Sequence, residues 1–273
     1  MEQINASVIV STYNAPTPLN LCLAGLYRQK FMPAEIMVAD DGSGSATKAV
    51  IEKWKKKFPI SLSHIWHEDK GNRKSIINNK AVAHTNSEYL MFIDGDAVPN
   101  PFWTMDHFKS RKPDLVLCGR RVKLDQRISG TLTESDIISG KLDKLFGPVL
   151  YSAISGETKR VTLGVRLPIL LARCFHPHPR KLMGVNFSLY KEDFKKVNGY
   201  DEEWSHRRQD KDLDLRLNRA GFQFYPLLNR AIVHHLYHDE RAPSEAVQQR
   251  VWEEEKSERV FCRKGLSQHF TKT

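Results

Sequence analysis

Cysteine is scarce in this 273-residue chain, and Cys22, Cys118, Cys174 and Cys262 are too scattered to form a Cys-x-x-Cys pair. That spacing argues against a zinc knuckle and offers no disulfide framework, so free thiols are expected. Long apolar runs are missing too: no stretch reaches the ~20 residues that a membrane span needs. The first residues, Met-Glu-Gln-Ile-Asn, lack the basic start, apolar stretch and small-residue cleavage site of a secretory leader, so the expectation is a cytoplasmic protein. No repeat of fixed period and no low-complexity tract occurs, which excludes a solenoid. No Gly-Lys-Ser/Thr follows Gly71, which excludes a Walker-type phosphate loop.

Present instead is an ordinary globular composition, 40% apolar and 27% charged, long enough for one large α/β domain with a substantial core. Lys and Arg number 42 against 32 Asp and Glu, a net charge of +10 that favours anionic partners. The excess is concentrated in Lys53 to Lys57, in residues 111 to 127, and in Arg173 to Lys181. The lysine run reads as a solvated helix face. The other two clusters flank the middle of the chain and are available to an acceptor or to peripheral contact with the inner membrane surface. No nucleic-acid motif and no interleaving of aromatic with basic residues accompanies the charge, so no nucleic-acid partner is expected.

The first hundred residues alternate between two periods. Short apolar runs at Ser7 to Val10, Glu35 to Ala39, Leu62 to His67 and Tyr89 to Ile93 read as strands. Between them, Leu19 to Lys30, Ala46 to Lys57 and Arg73 to His84 carry helical spacing. Strand and helix in alternation predict a mostly parallel sheet flanked by helices, which binds ligands beyond the carboxyl ends of its strands. Three of these ends carry polar loops: Ser11-Thr12-Tyr13-Asn14, Asp40-Asp41-Gly42-Ser43 and Asp94-Gly95-Asp96. Carboxylates at i and i+2 leave a strand on one side, so Asp94 and Asp96 present hard oxygen donors suited to Mg²⁺ or Mn²⁺ holding a diphosphate. The plain alternative is a strand running into an acidic turn.

The series Val8-Ile9-Val10-Ser11-Thr12-Tyr13-Asn14, Val38-Ala39-Asp40-Asp41-Gly42-Ser43, Asp69-Lys70-Gly71-Asn72-Arg73-Lys74, Asn79-Lys80-Ala81 and Phe92-Ile93-Asp94-Gly95-Asp96 resembles the family 2 glycosyltransferases of the GT-A fold. Downstream, Gly184-Val185-Asn186-Phe187-Ser188, Asn198-Gly199-Tyr200-Asp201-Glu202, Gln209-Asp210-Lys211-Asp212-Leu213 and His235-Leu236-Tyr237-His238 resemble the galactosyltransferase-like half of such enzymes, including chondroitin-type polymerases. The resemblance implies a GT-A domain over residues 1–240, with a nucleotide-binding half to 110 and an acceptor half from 111, followed by a helical tail over 241–273. It implies Mn²⁺ or Mg²⁺ on Asp96 with His235 or His238, and a nucleotide-sugar donor, most simply a UDP-sugar. Donor contacts would fall to Ser11, Tyr13, Asn14, Asp40 or Asp41, Lys70, Arg73, Asp94 and Asn186. Asp210 would be the base in an inverting transfer to a glycan or lipid-linked acceptor, in polysaccharide or lipopolysaccharide assembly.

Several residues also have purely structural explanations. Asp210 near a helix start could serve as a cap, and Asp40 and Asp41 could simply hold the turn at Gly42. Lys70 and Arg73 precede a helix N-terminus, where phosphate is attracted, or are a solvated helix start. Where relatives show Gly-Trp-Gly-x-Glu-Asp, this chain has Ser205-His206-Arg207-Arg208-Gln209-Asp210. Gln209 keeps hydrogen bonding without charge, and Arg207 and Arg208 point to an acidic or phosphorylated acceptor. Residues 120 to 182 match no recognised pattern, and a charged helix is expected from Ser244 to Cys262. Other classes that the residues leave open are a nucleotidyltransferase on the same sheet and a non-catalytic basic binding protein.

Overall fold

A computed structural model describes residues 2–144, 152, 154, 157–204, 208–239 and 244–270. The alternation runs β1 (Glu2–Thr12), α1 (Pro16–Tyr27), β2 (Phe31–Asp40), α2 (Ser45–Lys55), β3 (Ser61–Trp66), α3 (Lys74–His84) and β4 (Tyr89–Asp94). β1 is longer than its apolar run suggests, because Glu2 to Ile4 pair with Phe31 to Pro33 of β2 across an irregularity at Ile4/Ser7. α1 begins at Pro16, ahead of its apolar periodicity, since proline suits the first helical turn where its missing N–H costs nothing. Next come β5 (Ala97–Pro99), α4 (Trp103–Ser110), β6 (Leu115–Cys118), β7 (Arg121–Lys123) and the short helices α5 (Gln126–Thr131), α6 (Glu134–Ile138), α7 (Lys141–Lys144) and α8 (Ile169–Phe175). β8 (Asn186–Tyr190), α9 (Lys191–Lys196), α10 (Gln209–Arg219), β9 (Gln223–Pro226), β10 (Val233–His235) and α11 (Glu245–Lys256) complete the order.

Seven strands form the main sheet in the order β3-β2-β1-β4-β8-β6-β9. β3, β2, β1 and β4 are parallel, and β8 runs antiparallel between β4 and β6. Its two faces follow the period of two along β1: Val8 and Val10 join the core beneath α1 and α2, while Ile9 joins the core beneath α3 and α10. Register across β4 and β8 sets Phe92 opposite Phe187, whose rings stack at 4.4 Å. Such a pair adds about 0.5–1.5 kcal/mol to the area it buries. A second, three-stranded sheet, β5-β10-β7, follows directly on the turn after β4.

The C-terminal segment is integral to this body. α11 ends at Lys256, well before Cys262, because Ser257 turns extended and the chain folds back over the domain. Cys262 is buried beside the carbonyls of Val197, Asn198 and Tyr200, and Leu266 enters the core beneath α3 and α10. No helix among the described residues is long and apolar enough to cross a membrane.

Candidate active site

The ends of β1, β2 and β4 open into one cleft of about 500 Å³ lined by Ser11, Thr12, Tyr13, Asp41, Asn72, Lys74, Asp94 and Asp96, among others. Parallel pairing brings these loops together: Thr12 lies in register with Asp40, and Ser11 with Asp94. The turn after β2 needs glycine at position 42, where φ is +98° and a Cβ would sit 2.6 Å from the Asp69 backbone. That closeness draws the 67–73 loop over the cleft. Asp41 fastens it, accepting from the Arg73 backbone N–H at 2.9 Å and meeting His67 Nε2 at 2.6 Å. Tyr13, half exposed on the rim, donates to Asp69 at 2.7 Å.

At the floor, Lys74 pairs with Asp94 at 2.6 Å. Burial opposes its charge, yet the fields of Asp94, Asp210 and Asp96 outweigh burial and hold the ammonium firmly protonated. Reciprocally, burial raises and Lys74 lowers the Asp94 carboxyl, with the lower value winning. Asp210, in the first turn of α10, is pushed up by burial, with Lys74 pulling the other way. It accepts from the Tyr200 hydroxyl at 3.4 Å. Gly184 lies so close that a Cβ there would be 2.4 Å from the Asp210 carboxylate.

Beside this triad stand Asp96, His235 and His238, whose donor atoms all lie within 4.8 Å of one another. β10 delivers the histidines: His235 pairs with Ala97, and the Leu236 N–H donates to the Asp96 carbonyl at 2.9 Å. His235 Nε2 is 3.4 Å and His238 Nε2 3.3 Å from the Asp96 oxygens, longer than the 2.6 Å of the directly bonded His67–Asp41 pair. Donors sharing one ion at about 2.1 Å stand roughly 3 Å apart, so these two spacings are compatible with a shared ion. Asp96 Oδ1 is buried with no hydrogen-bond partner among the described residues. Burial and the negative Asp94 push its carboxyl up to about 6. Burial, aided by Arg121, pushes His235 down to about 3, which keeps the imidazole neutral and its lone pair free to ligate.

Other residues singled out by the sequence fall elsewhere. Asn186 does not reach the cleft. It is fully buried, donating to the Arg120 and Ala231 carbonyls and accepting from Trp103 Nε1 and His107 Nε2, so its side chain is consumed by the core. Asp40 lies beneath the turn, fully buried, with its oxygens on the Ser43 N–H and on His64 Nε2. Lys70 is exposed and paired with Glu68, away from the cleft wall. The Arg73 guanidinium donates to the Glu68 carbonyl. Asn14, at φ 45°, clasps the β2 turn through Ser43 and Gly44. Gln209 is buried with its Oε1 unpartnered among the described residues, Arg208 is exposed at φ 88°, and His206 and Arg207 lie outside the described residues.

Lys74 is the residue that reading the sequence passes over. It stands one place beyond Arg73, and only its long-range meeting with Asp94 marks it out. Thr12 is similar: it lines the cleft, and its Oγ1 is buried without a partner among the described residues.

Residues 7–155 match the family described as Glycosyl transferase family 2, and residues 174–239 match the description N-terminal domain of galactosyltransferase. Chondroitin synthase of Pasteurella multocida (strain Pm70) is 24% identical over 246 residues, 86% of this chain and 25% of that protein. Chondroitin synthase of Escherichia coli is 24% identical over 230 residues, 80% of this chain and 33% of that protein. This chain thus spans a third or less of the length of these curated relatives. Among solved structures, S. aureus TarS 1-349 in complex with UDP is similar with a TM-score of 0.55 at 17% identity, covering 98% of this chain and 68% of that one. A mannosyltransferase from Pyrobaculum calidifontis, in complex with GDP-Man and Mn²⁺, gives 0.55 at 16% identity over 86% of this chain and 58% of that one. These likenesses are of fold, and the fold is GT-A. Since the first match covers more than half of the chain, including all three strand-end loops of the cleft, the protein belongs to glycosyl transferase family 2.

Proposed function

We propose that the protein transfers a sugar, with inversion, from a nucleoside diphosphate sugar, most simply a UDP-sugar, to a hydroxyl of a glycan or lipid-linked acceptor. The observation that carries the reading is the meeting of Asp96 with His235 and His238, and of Lys74 with Asp94 and Asp210, at the cleft that Lys74, Asp94 and Asp96 line. One carboxylate and two imidazoles form a softer donor set than Mg²⁺ prefers, which favours Mn²⁺ on Asp96, His235 and His238. Bound there, the ion would act as a Lewis acid toward the diphosphate.

The protein's own groups supply the rest. Tyr13 offers a ring face to the base, and Asp41 and Ser11 offer hydrogen bonds to it. Asp41 keeps lone pairs beyond those used by His67 and Arg73. Lys74, held cationic at the cleft floor, faces the charge that grows on the leaving phosphate oxygen. Asp210, made more basic by burial, takes the proton of the acceptor hydroxyl. The hydroxyl oxygen bonds to the anomeric carbon as the bond to the phosphate oxygen breaks, and that electron pair leaves with the nucleoside diphosphate. One such displacement inverts the anomeric centre. The likeness to two chondroitin synthases supports a setting in polysaccharide assembly.

The test is thermal unfolding against a panel of nucleoside diphosphate sugars with and without Mn²⁺, on wild type and Asp96→Ala. Ligand at 100 times its Kd stabilises by about 2.7 kcal/mol. Stabilisation by a UDP-sugar that needs both Mn²⁺ and Asp96 is the expected result. A flat response across the panel would overturn the reading.

A further inference from the structure

Among the described residues, nothing covers the apolar side of α8. Ala172 faces the body and is 5% exposed, whereas Leu170 is 70%, Leu171 49% and Phe175 68% exposed. On a helix, Leu170 and Cys174 lie opposite Ala172, flanked by Leu171 and Arg173. The exposure does not come from loose attachment. The Leu167 N–H donates to the Asn229 carbonyl at 3.0 Å, His176 Nε2 donates to Asn229 Oδ1 at 2.7 Å, and Arg173 lies over the Tyr225 ring. The helix is pinned at both ends with its leucines outward.

Along the sequence around it the charge is of one sign. From Thr158 to Lys191 there is no Asp or Glu, while Lys159, Arg160, Arg173, Arg180 and Lys181 are all exposed. Two of them approach through Arg120: besides burial, the charges of Arg180 and Arg160 help push its guanidinium down, against the opposing pull of Asp214. Exposed cations that outnumber the carboxylates beside them, Asp214 and Glu255, are stabilised by an external anionic surface. A soluble phosphate would satisfy the arginines but not the adjoining leucines and phenylalanine. An anionic bilayer satisfies both, because apolar side chains enter the acyl boundary while Arg and Lys stay among the headgroups.

We propose that α8 and its basic flanks form the surface on which this protein docks to an anionic phospholipid bilayer. The segment leads through Leu182, whose N–H donates to Asp214 at 2.7 Å, to Gly184 packed against Asp210. The end of α8 at Phe175 therefore stands nine residues before Gly184, on the proposed acceptor side. The docking surface shares no residue with the donor site and stands independently of the transferase reading.

The experiment is cosedimentation of the full chain with vesicles of phosphatidylcholine alone and of phosphatidylcholine mixed with phosphatidylglycerol, at low and high salt. Wild type is expected on the mixed vesicles and not on the neutral ones, with weaker binding at high salt. Arg160→Glu with Arg180→Glu should weaken partition by more than tenfold, given about a fivefold effect for each basic residue near the surface. Leu170→Glu with Phe175→Glu should abolish it. Both pairs are exposed, and unchanged far-ultraviolet circular dichroism and thermal unfolding midpoints of the same variants would show that each remains folded. Failure to bind mixed vesicles, or binding indifferent to both pairs, overturns the proposal. So does a wild-type dimer in sedimentation equilibrium that Leu170→Glu with Phe175→Glu turns into a monomer, which would assign the face to a second copy.

Discussion

Asn186 and His107 show how much polar structure this core holds. Trp103 Nε1–H already donates to Asn186 Oδ1, so His107 must use its Nε2–H on the same oxygen, at 2.8 Å. His107 Nδ1 then accepts from the Ser188 hydroxyl at 2.7 Å, and Tyr89 donates to Ser188 at 2.7 Å. Each proton in this chain is assigned by its neighbours. Asn186→Leu would leave several buried groups unpaired, so it should cost on the order of 3 kcal/mol or more in urea denaturation. Nucleotide-sugar affinity at a temperature where the variant is folded should hold; a selective loss of affinity at full stability would return Asn186 to the donor site. Burial pushes the His107 imidazole down to about 4, against the pull of its bond to Asn186. Between about 4 and the free value near 6.5 the unfolded chain binds a proton that the native state refuses. Stability should therefore be greatest above pH 6.5 and fall as the pH drops towards 4, by on the order of 3 kcal/mol from this group. His107→Gln should flatten that slope, and an unchanged slope in the variant would refute the assignment.

At the scale of elements, the site depends on how closely α10 approaches the segment that leads into β8. The close approach of Gly184 to Asp210 leaves no room for a methyl group. Gly184→Ala should push the carboxylate aside, lowering kcat by about 10²-fold, the order expected when a reacting group moves by 1 Å. Thermal stability and donor binding should change little. Equal loss of donor affinity would mean that Gly184 serves the nucleotide side instead. β10 makes a comparable contribution: its three-residue pairing with β5 sets His235 beside Asp96, while His234, one residue earlier, goes to the opposite face and stays neutral in its burial.

For the whole molecule, the C-terminal segment completes the domain electrostatically. Arg259 donates to Asp201 at 2.7 Å, to Asp212 at 3.0 Å and to Glu254 at 2.9 Å, while Arg216 holds the other oxygen of Asp212. Asp201 and Asp212 have no side-chain exposure. Arg259→Met would leave buried Asp201 without its cation and Asp212 with Arg216 alone, and should destabilise the fold by about 2–3 kcal/mol, less than a fully buried pair would cost because Arg259 is partly exposed. Denaturation beside the exposed Arg263→Met, expected within about 0.5 kcal/mol of wild type, makes the comparison. Equal stability of the two variants would show that the segment is held by apolar packing alone.

The strands and helices of the first hundred residues were legible because their causes are local: the period of two in Val8, Ile9 and Val10, the helical spacing of Leu19, Leu23 and Leu26, and glycine at the turn of residue 42. The chain by itself also placed Asp94 and Asp96 at one strand end, although β4 stops at Asp94 and Asp96 falls in the turn after it, where the turn and not the pleat sets its direction. Only the tertiary structure decided that Lys74 meets Asp94, that both His235 and His238 meet Asp96, and that Asn186 turns inward while Asp41, not its neighbour, lines the cleft. Those outcomes depend on sheet order and on the burial of partners up to more than a hundred residues away. A residue's type and spacing limit the chemistry it can do, but desolvation and pairing across the fold choose which chemistry is done.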